Sequence, residues 1–150
     1  MRKVRGGRLK GHRGCNRNLT VFQTPLGWAG IAATERGICR IILPRRTRFE
    51  ALKVIEATVA GLPLVRLADV RPKAVRPLQK YFSGKRVSFD LPLDMSYYTI
   101  FQKAVWKAAA AIPFGETRSY AWVAKKIRNP RAPRAVGRAL GSNPVPIIIP

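Results

Sequence analysis

An α+β fold is predicted by two features of the sequence: strand-like segments crowd the first third of the chain, and stretches of helical period follow them, ending in a close pair of short helices. The strand-like segments are "LTVFQT" (19–24), "GWAGIAA" (27–33) and "GICRIILP" (37–44), separated by the turn candidates "PLG" and "ERG". Their short connections predict an antiparallel meander. Next, "RRTRFEALKVIEATVAG" sets Phe49, Leu52, Val54 and Ile55 among charged residues at near-helical spacing, with Gly61 and Pro63 as a stop. A second helix is expected in "DVRPKAVRPLQKYFSG", although Pro77 argues against a long uninterrupted one. "KRVSFDLPLDM" (85–95) alternates Val87, Phe89 and Leu91 onto one face and predicts a further strand.

A boundary is expected near residues 94–97. Beyond it, "YYTIFQKAVWKAAAAI" repeats Ile100, Phe101, Ala104, Val105, Ala108 and Ile112 at three and four, and Pro113 and Gly115 stop the helix. "SYAWVAKKI" starts a shorter helix with Ser119 as N-cap. After a turn holding Asn129 and Pro130, Pro133 opens a helix to about Leu140. Two short helices across a tight turn form a helix-turn-helix pattern. The expected organisation is a basic arm at 1–18, an N-terminal domain at 19–94 and a winged-helix-like domain at 95–150.

Composition narrows the partner. The chain has 150 residues, 47% of them hydrophobic, which is enough for a real core. Twenty-nine Lys and Arg against seven Asp and Glu give a formal charge of +22, which points to a polyanion. No apolar run approaches the roughly 20 residues of a spanning helix, so nucleic acid is favoured over a membrane. The opening "MRKVRGGRLKGHRGC" carries six basic residues, no acidic ones and no apolar signal core. It reads either as a phosphate-contacting arm or as a solubilising or misassigned extension. Two cysteines and one histidine suggest reduced thiols in a cytoplasmic setting.

At 100° per residue, Arg131, Arg134 and Arg138 fall in one sector, while Ala132, Val136, Ala139 and Leu140 cluster elsewhere. Apolar contacts would then fix the helix while guanidinium groups reach phosphates or bases. A solvated basic face is the competing reading; the preceding helix, the short turn and the overall charge favour DNA.

The last forty residues, with "PFGE", the "SY" that opens a helix, "RAVG" and "NPVPIIIP" in that order, resemble the O6-alkylguanine-DNA alkyltransferases. The likeness continues more weakly through "FQKAVW" and "TPLG", and so covers most of 19–150. It implies a ribonuclease H-like N-terminal domain and a DNA-binding domain that turns a damaged guanine out of the duplex. It further implies irreversible, single-turnover transfer of the alkyl group to a protein cysteine. By resemblance, Arg134 is the finger that fills the vacated space, and Tyr120 crowds the target phosphate and donates a proton or hydrogen bond to the departing guanine. Asn143 braces the turn before the active-site segment, which Pro144 and Pro146 stiffen. Arg131, Arg138, Ser119, Ala135 and Gly137 complete the expected DNA-facing set.

The implied partner is double-stranded DNA containing O6-alkylguanine, met by a monomer in the cytoplasm at the nucleoid. No cofactor and no metal are expected. Cys15 and Cys39 fall near two positions that hold zinc in some family members, Thr34 stands at a third, and the remaining ligand is not identifiable, although His12 could contribute. Structural zinc nearly always takes four Cys or His ligands, which speaks against a site here.

In the family, Cys-His-Arg follows "NPVPIxxP" at once, and only a thiolate, from a thiol with a free pKa of about 8.5, is a good nucleophile. This sequence reaches Pro150 without that cysteine. The acceptor is therefore expected immediately after Pro150, and without residues there the chain is expected to be inactive. A fragment, a truncated gene, or an alkyltransferase-like protein that binds lesions without chemistry would each fit. An ending at Pro150 is expected to leave apolar surface from Val145 to Ile149 uncovered, which favours the first two.

Overall fold

A computed structural model describes residues 19–64 and 71–150. The basic arm, with His12 and Cys15, lies outside the described residues. Strands β1 (Leu19–Thr24), β2 (Gly27–Thr34) and β3 (Gly37–Arg45) form the expected antiparallel meander in the order β1-β2-β3. Its alternation divides the core between two faces. Ala32, Cys39 and Ile42 look toward helix α1 (Arg48–Thr58), whereas Ala29, Ile31, Ala33 and Ile41 look toward the remaining helices.

Helix α1 starts at Thr47, whose side chain accepts from the Glu50 amide at 3.1 Å. It buries Ala51 and Ile55, but Phe49, expected on the packed face, is 74% exposed. It sits in the first turn, on the side away from the sheet. Helix α2 (Arg71–Phe82) runs straight through Pro77, contrary to expectation. Proline removes only the bond to residue 73, and Ala74 and Leu78, both fully buried, seat the helix firmly. Gln79 Nε2 also donates to the Gln23 carbonyl of β1 at 2.9 Å.

The strand expected at 85–95 is not one. Val87, Phe89 and Leu91 are half-buried between exposed neighbours, so the period of two read the inward face correctly. Among the described residues no partner strand runs alongside it, however, and it touches β3 at a single parallel bridge, Ile38 to Leu93. There the Ile38 amide donates to the Pro92 carbonyl at 2.8 Å and the Asp94 amide to the Ile38 carbonyl at 2.9 Å. A Cβ on Gly37, at φ +138°, would lie 2.2 Å from the Pro92 oxygen, so only glycine permits this approach.

Asp94 fixes the crossing. It is buried, accepting from Thr34 Oγ1 at 2.5 Å and from the Ser96 amide at 2.9 Å. Burial alone would raise its pKa, but the Ser96 and Thr34 hydrogen bonds, helped by Arg36, hold it below the usual carboxylate range. The stabilisation this carboxylate supplies is present above its unfolded pKa of about 3.9 and fades as pH falls through the lower folded value. Chemical denaturation from pH 5 downward is expected to show that loss, and Asp94→Asn, less stable at pH 7, is expected to flatten it. An unchanged pH profile in the variant would contradict the assignment.

Helix α3 (Ile100–Ala110) opens with a capping box between Thr99 and Gln102. Its buried face is Val105, Trp106, Ala108 and Ala109. Ile100, counted in the apolar stripe, is 88% exposed because it occupies the first turn, and Ile112 lies past the helix end. Helices α4 (Tyr120–Lys126) and α5 (Pro133–Gly141) pack on α3 through Val123, Ala124, Val136 and Ala139. Among the described residues, no helix is long and apolar enough to cross a membrane.

Candidate nucleic-acid interface and active-site segment

The helix pair is built from local signals. Ser119 Oγ accepts from the Trp122 amide at 3.1 Å and starts α4, while Pro133 occupies the first turn of α5. Between them the chain reverses through a Schellman motif: the Arg128 amide donates to the Lys125 carbonyl at 3.0 Å and the Asn129 amide to the Ala124 carbonyl at 2.9 Å. The residue that must turn left-handed is Arg128, at φ +59°, where glycine would be cheaper.

On α5, Val136 and Ala139 are buried while Arg134 and Arg138 are exposed, the division that the helical period predicts. Arg131 is exposed too, but it lies in the turn before the N-cap Ala132, not on the helix. Ala135 and Gly137 are half-buried. Gly137 has a definite neighbour: a Cβ there would come within 3.1 Å of Tyr120 Cε2, so the absence of a side chain lets the Tyr120 ring lie against α5. That ring stays 55% exposed.

The segment after α5 doubles back onto the sheet. Asn143 holds it at both ends, since Nδ2 donates to the Ile149 carbonyl at 2.8 Å and Oδ1 accepts from the Val145 amide at 3.0 Å. The Ile41 amide of β3 donates to the Pro144 carbonyl at 2.8 Å, so the open edge of the sheet anchors the segment. Val145 and Ile149 are buried and Ile147 and Ile148 half-buried, which corrects the expectation of uncovered apolar surface from Val145 to Ile149. Contacts with the sheet and helices close over this stretch, a long-range arrangement that no local pattern encodes. Ile147 sits at φ +79°, a strained conformation for a β-branched residue.

A groove of about 1120 Å³ is lined by Tyr120, Leu140, Ile147, Ile148 and Pro150 together with Tyr81, Phe82, Lys85 and Arg86. Phe114, from the "PFGE" loop, also lines the groove, with the Arg86 guanidinium 4.9 Å over its ring. Sequence reasoning missed the interactions that fix this loop and helix α5. Arg118 pairs with Glu116 and stacks over Trp122 at 5.6 Å, and Trp106 Nε1 donates to the Ala139 carbonyl at 2.8 Å. A buried tryptophan demands an acceptor, a usable signal, but its partner lies 33 residues away.

Cys39 is buried in β3, with its Sγ 3.4 Å from the Ala32 carbonyl. Burial pushes its thiol up to about 11, so almost none is thiolate at neutral pH. It lies on the sheet face toward α1, away from the groove. Thr34, considered as a zinc position, instead donates a hydrogen bond from its hydroxyl to the Asp94 carboxylate.

Residues 19–95 match the model of the 6-O-methylguanine DNA methyltransferase ribonuclease-like domain, and residues 100–150 that of the 6-O-methylguanine DNA methyltransferase DNA binding domain. The chain is 56% identical over 131 residues to a methylated-DNA–protein-cysteine methyltransferase of Methanosarcina barkeri, covering 87% of this chain and 77% of the relative. It is 38% identical over 131 residues to the constitutive protein of that name from Bacillus subtilis, covering 87% and 76%. The crystal structure of Mycobacterium tuberculosis O6-methylguanine methyltransferase superposes with a TM-score of 0.67 at 35% identity, over 87% of this chain and 73% of that one. A second M. tuberculosis structure, in complex with DNA, gives 0.64 at 32% identity over 88% and 74%.

Proposed function

The chain belongs to the 6-O-methylguanine DNA methyltransferase family, and on that premise we propose that it repairs DNA by direct reversal, moving the alkyl group of O6-alkylguanine onto a protein cysteine. The observation that carries this reading is the meeting of three parts at one groove: a cationic recognition helix, the Tyr120 ring laid on that helix, and an Asn143-braced segment anchored to the sheet.

In this reading α5 lies against the duplex, Arg134 enters the stack as the damaged nucleotide leaves it, and the base enters the groove. Arg138, Arg131 and the N-terminus of α4 around Ser119 hold the flanking phosphates, and Ala135 and Gly137 allow close approach. A thiolate placed directly after Pro150 attacks the alkyl carbon: the S–C bond forms, the C–O6 bond breaks, and the guanine leaves with a proton from Tyr120. The thioether that remains ends the reaction after one turnover. Burial and a raised pKa argue against Cys39 as the acceptor. The protein acts as a monomer at the nucleoid.

The test pairs binding with transfer. Duplexes with and without one O6-methylguanine are titrated against the 150-residue chain and against Arg134→Ala. Arg134→Ala is expected to lose about tenfold or more on the alkylated duplex and only two- to threefold on the intact one; equal losses would make Arg134 a phosphate contact. With a protein that carries a cysteine directly after Pro150, a labelled O6-methyl group is expected on that cysteine and none on Cys39. Label on Cys39, or no transfer, would overturn the mechanism.

A further inference from the structure

Helix α5 accounts for only part of the positive charge. From Ser119 to Gly141 the chain holds six basic residues and no acid; from Arg71 to Arg86 it again holds six, Arg71, Lys73, Arg76, Lys80, Lys85 and Arg86, and again no acid. The second set lies on and just after α2, which the reaction does not use. Ala74 and Leu78 are fully buried against the sheet and so fix which way the helix faces. Lys73, Arg76 and Lys80 then share one sector about 60° wide at 100° per residue, and all three are exposed. The ion pair found among the described residues joins Arg118 to Glu116, so no described carboxylate pairs with this stripe.

Where the stripe leads decides its partner. Past the C-terminus of α2, Lys85 and Arg86 line the same groove as Tyr120, and Arg86 stacks on Phe114 of the loop before α4. The cations therefore continue outward from the rim of the base-binding groove along α2. Along the helix axis Lys73, Arg76 and Lys80 rise about 4.5 and then about 6 Å, a spacing fit for neighbouring phosphates of one DNA strand, which rise about 3.4 Å each.

We propose that this α2 stripe is a second phosphate-binding surface, which holds the flank of the same duplex whose damaged base enters the groove. The proposal rests on the DNA-binding reading of α5. It predicts a footprint longer than α5 alone would give, and an added electrostatic contribution that makes affinity depend on duplex length. One log–log salt slope increment of about 0.9 is expected for each phosphate neutralised.

The experiment uses the 150-residue chain and two duplexes. One is a hairpin of about 12 bp, little more than one helical turn; the other is about 30 bp, roughly three turns. The combined variant Lys73→Gln, Arg76→Gln and Lys80→Gln is expected to bind the long duplex at least tenfold more weakly at low salt, with the slope reduced by about 2 to 3, and the short duplex within twofold of the parent. Arg76→Gln alone, a single exposed change, is expected to reduce the long-duplex slope by about 1. Equal affinity of parent and variants on both lengths overturns the proposal, as do equal losses on both. A parent complex that sediments with two duplexes per chain would instead make the stripe a bridge between DNA molecules, and would also overturn it. Arg134→Ala with Arg138→Ala is the control for the reading beneath: it is expected to weaken both lengths, and if it weakens neither, it is the α5 interface that fails.

Discussion

Trp106→Ala is expected to cost about 3–5 kcal/mol and to lower the melting temperature by roughly 10 °C or more. Trp106 is 1% exposed at the centre of the larger core. Its ring meets Tyr98 edge-on with centroids 4.8 Å apart, and its Nε1 donates to the Ala139 carbonyl. Removing the indole leaves a large void in a close-packed region and cuts the polar tie between α3 and α5. The second consequence is functional: Arg134 and Arg138 project from the helix that this bond orients, so DNA affinity is expected to fall further than the unfolded fraction alone explains. Trp106→Phe separates the two effects. It keeps most of the volume but loses the donor, and the Ala139 carbonyl still accepts from Ser142 Oγ at 2.9 Å, so the expected cost is only about 1 kcal/mol. Denaturant unfolding of both variants checks the order. A Trp106→Ala protein within about 1 kcal/mol of the parent would mean that α3 does not seat α5 as described.

What could be read in advance follows the range of the interactions. The meander was legible because alternation and its turns are set within a few residues, and β1 spans the residues expected of it. Ser119 and Pro133 marked their helix starts for the same reason: capping is local. The failures cluster where distant residues decide. Val87, Phe89 and Leu91 alternate like a strand, yet a strand needs a partner, and the two bonds from Ile38 meet the segment past them, at Pro92 and Asp94. Pro77 should interrupt α2, but burial of Ala74 and Leu78 outweighs one missing bond. Phe49 and Ile100 fit an apolar period but fall in first turns that the fold leaves exposed.

The site was legible in a different way. Tyr120 and Asn143 come from the family resemblance alone, since no spacing rule joins a tyrosine at 120 to an asparagine at 143, whereas Arg134 also stands out through the helical period that sets it beside Arg131 and Arg138. Their geometric supports, Gly137 under the Tyr120 ring and the Ile41 amide on Pro144, appear only once the sheet and the helices are assembled.

Asn143→Ala is expected to cost about 2–4 kcal/mol, because it removes a donor and an acceptor at once and leaves the Ile149 carbonyl and the Val145 amide without that partner. Asn143→Asp keeps the acceptor for the Val145 amide but sets a carboxylate oxygen against the Ile149 carbonyl, so it is expected to rescue little. A second effect concerns Ile147. A left-handed β-branched residue costs about 1–3 kcal/mol and persists only where its surroundings over-determine it. Asn143 supplies two of those constraints, with the Ile149 amide to the Val145 carbonyl at 3.1 Å as a third. With the side chain gone, the 146–149 turn is expected to relax, and Ile149 amide exchange is expected to accelerate more than exchange in β2. Ile147→Gly tests the link through a double-mutant cycle. In the parent it removes the strain but also a half-buried side chain, so the two effects largely offset. In Asn143→Ala the strain has already been released, so only the lost burial remains, and the same substitution is expected to destabilise more. Additive effects of the two changes would show that Asn143 does not hold Ile147 in its strained turn.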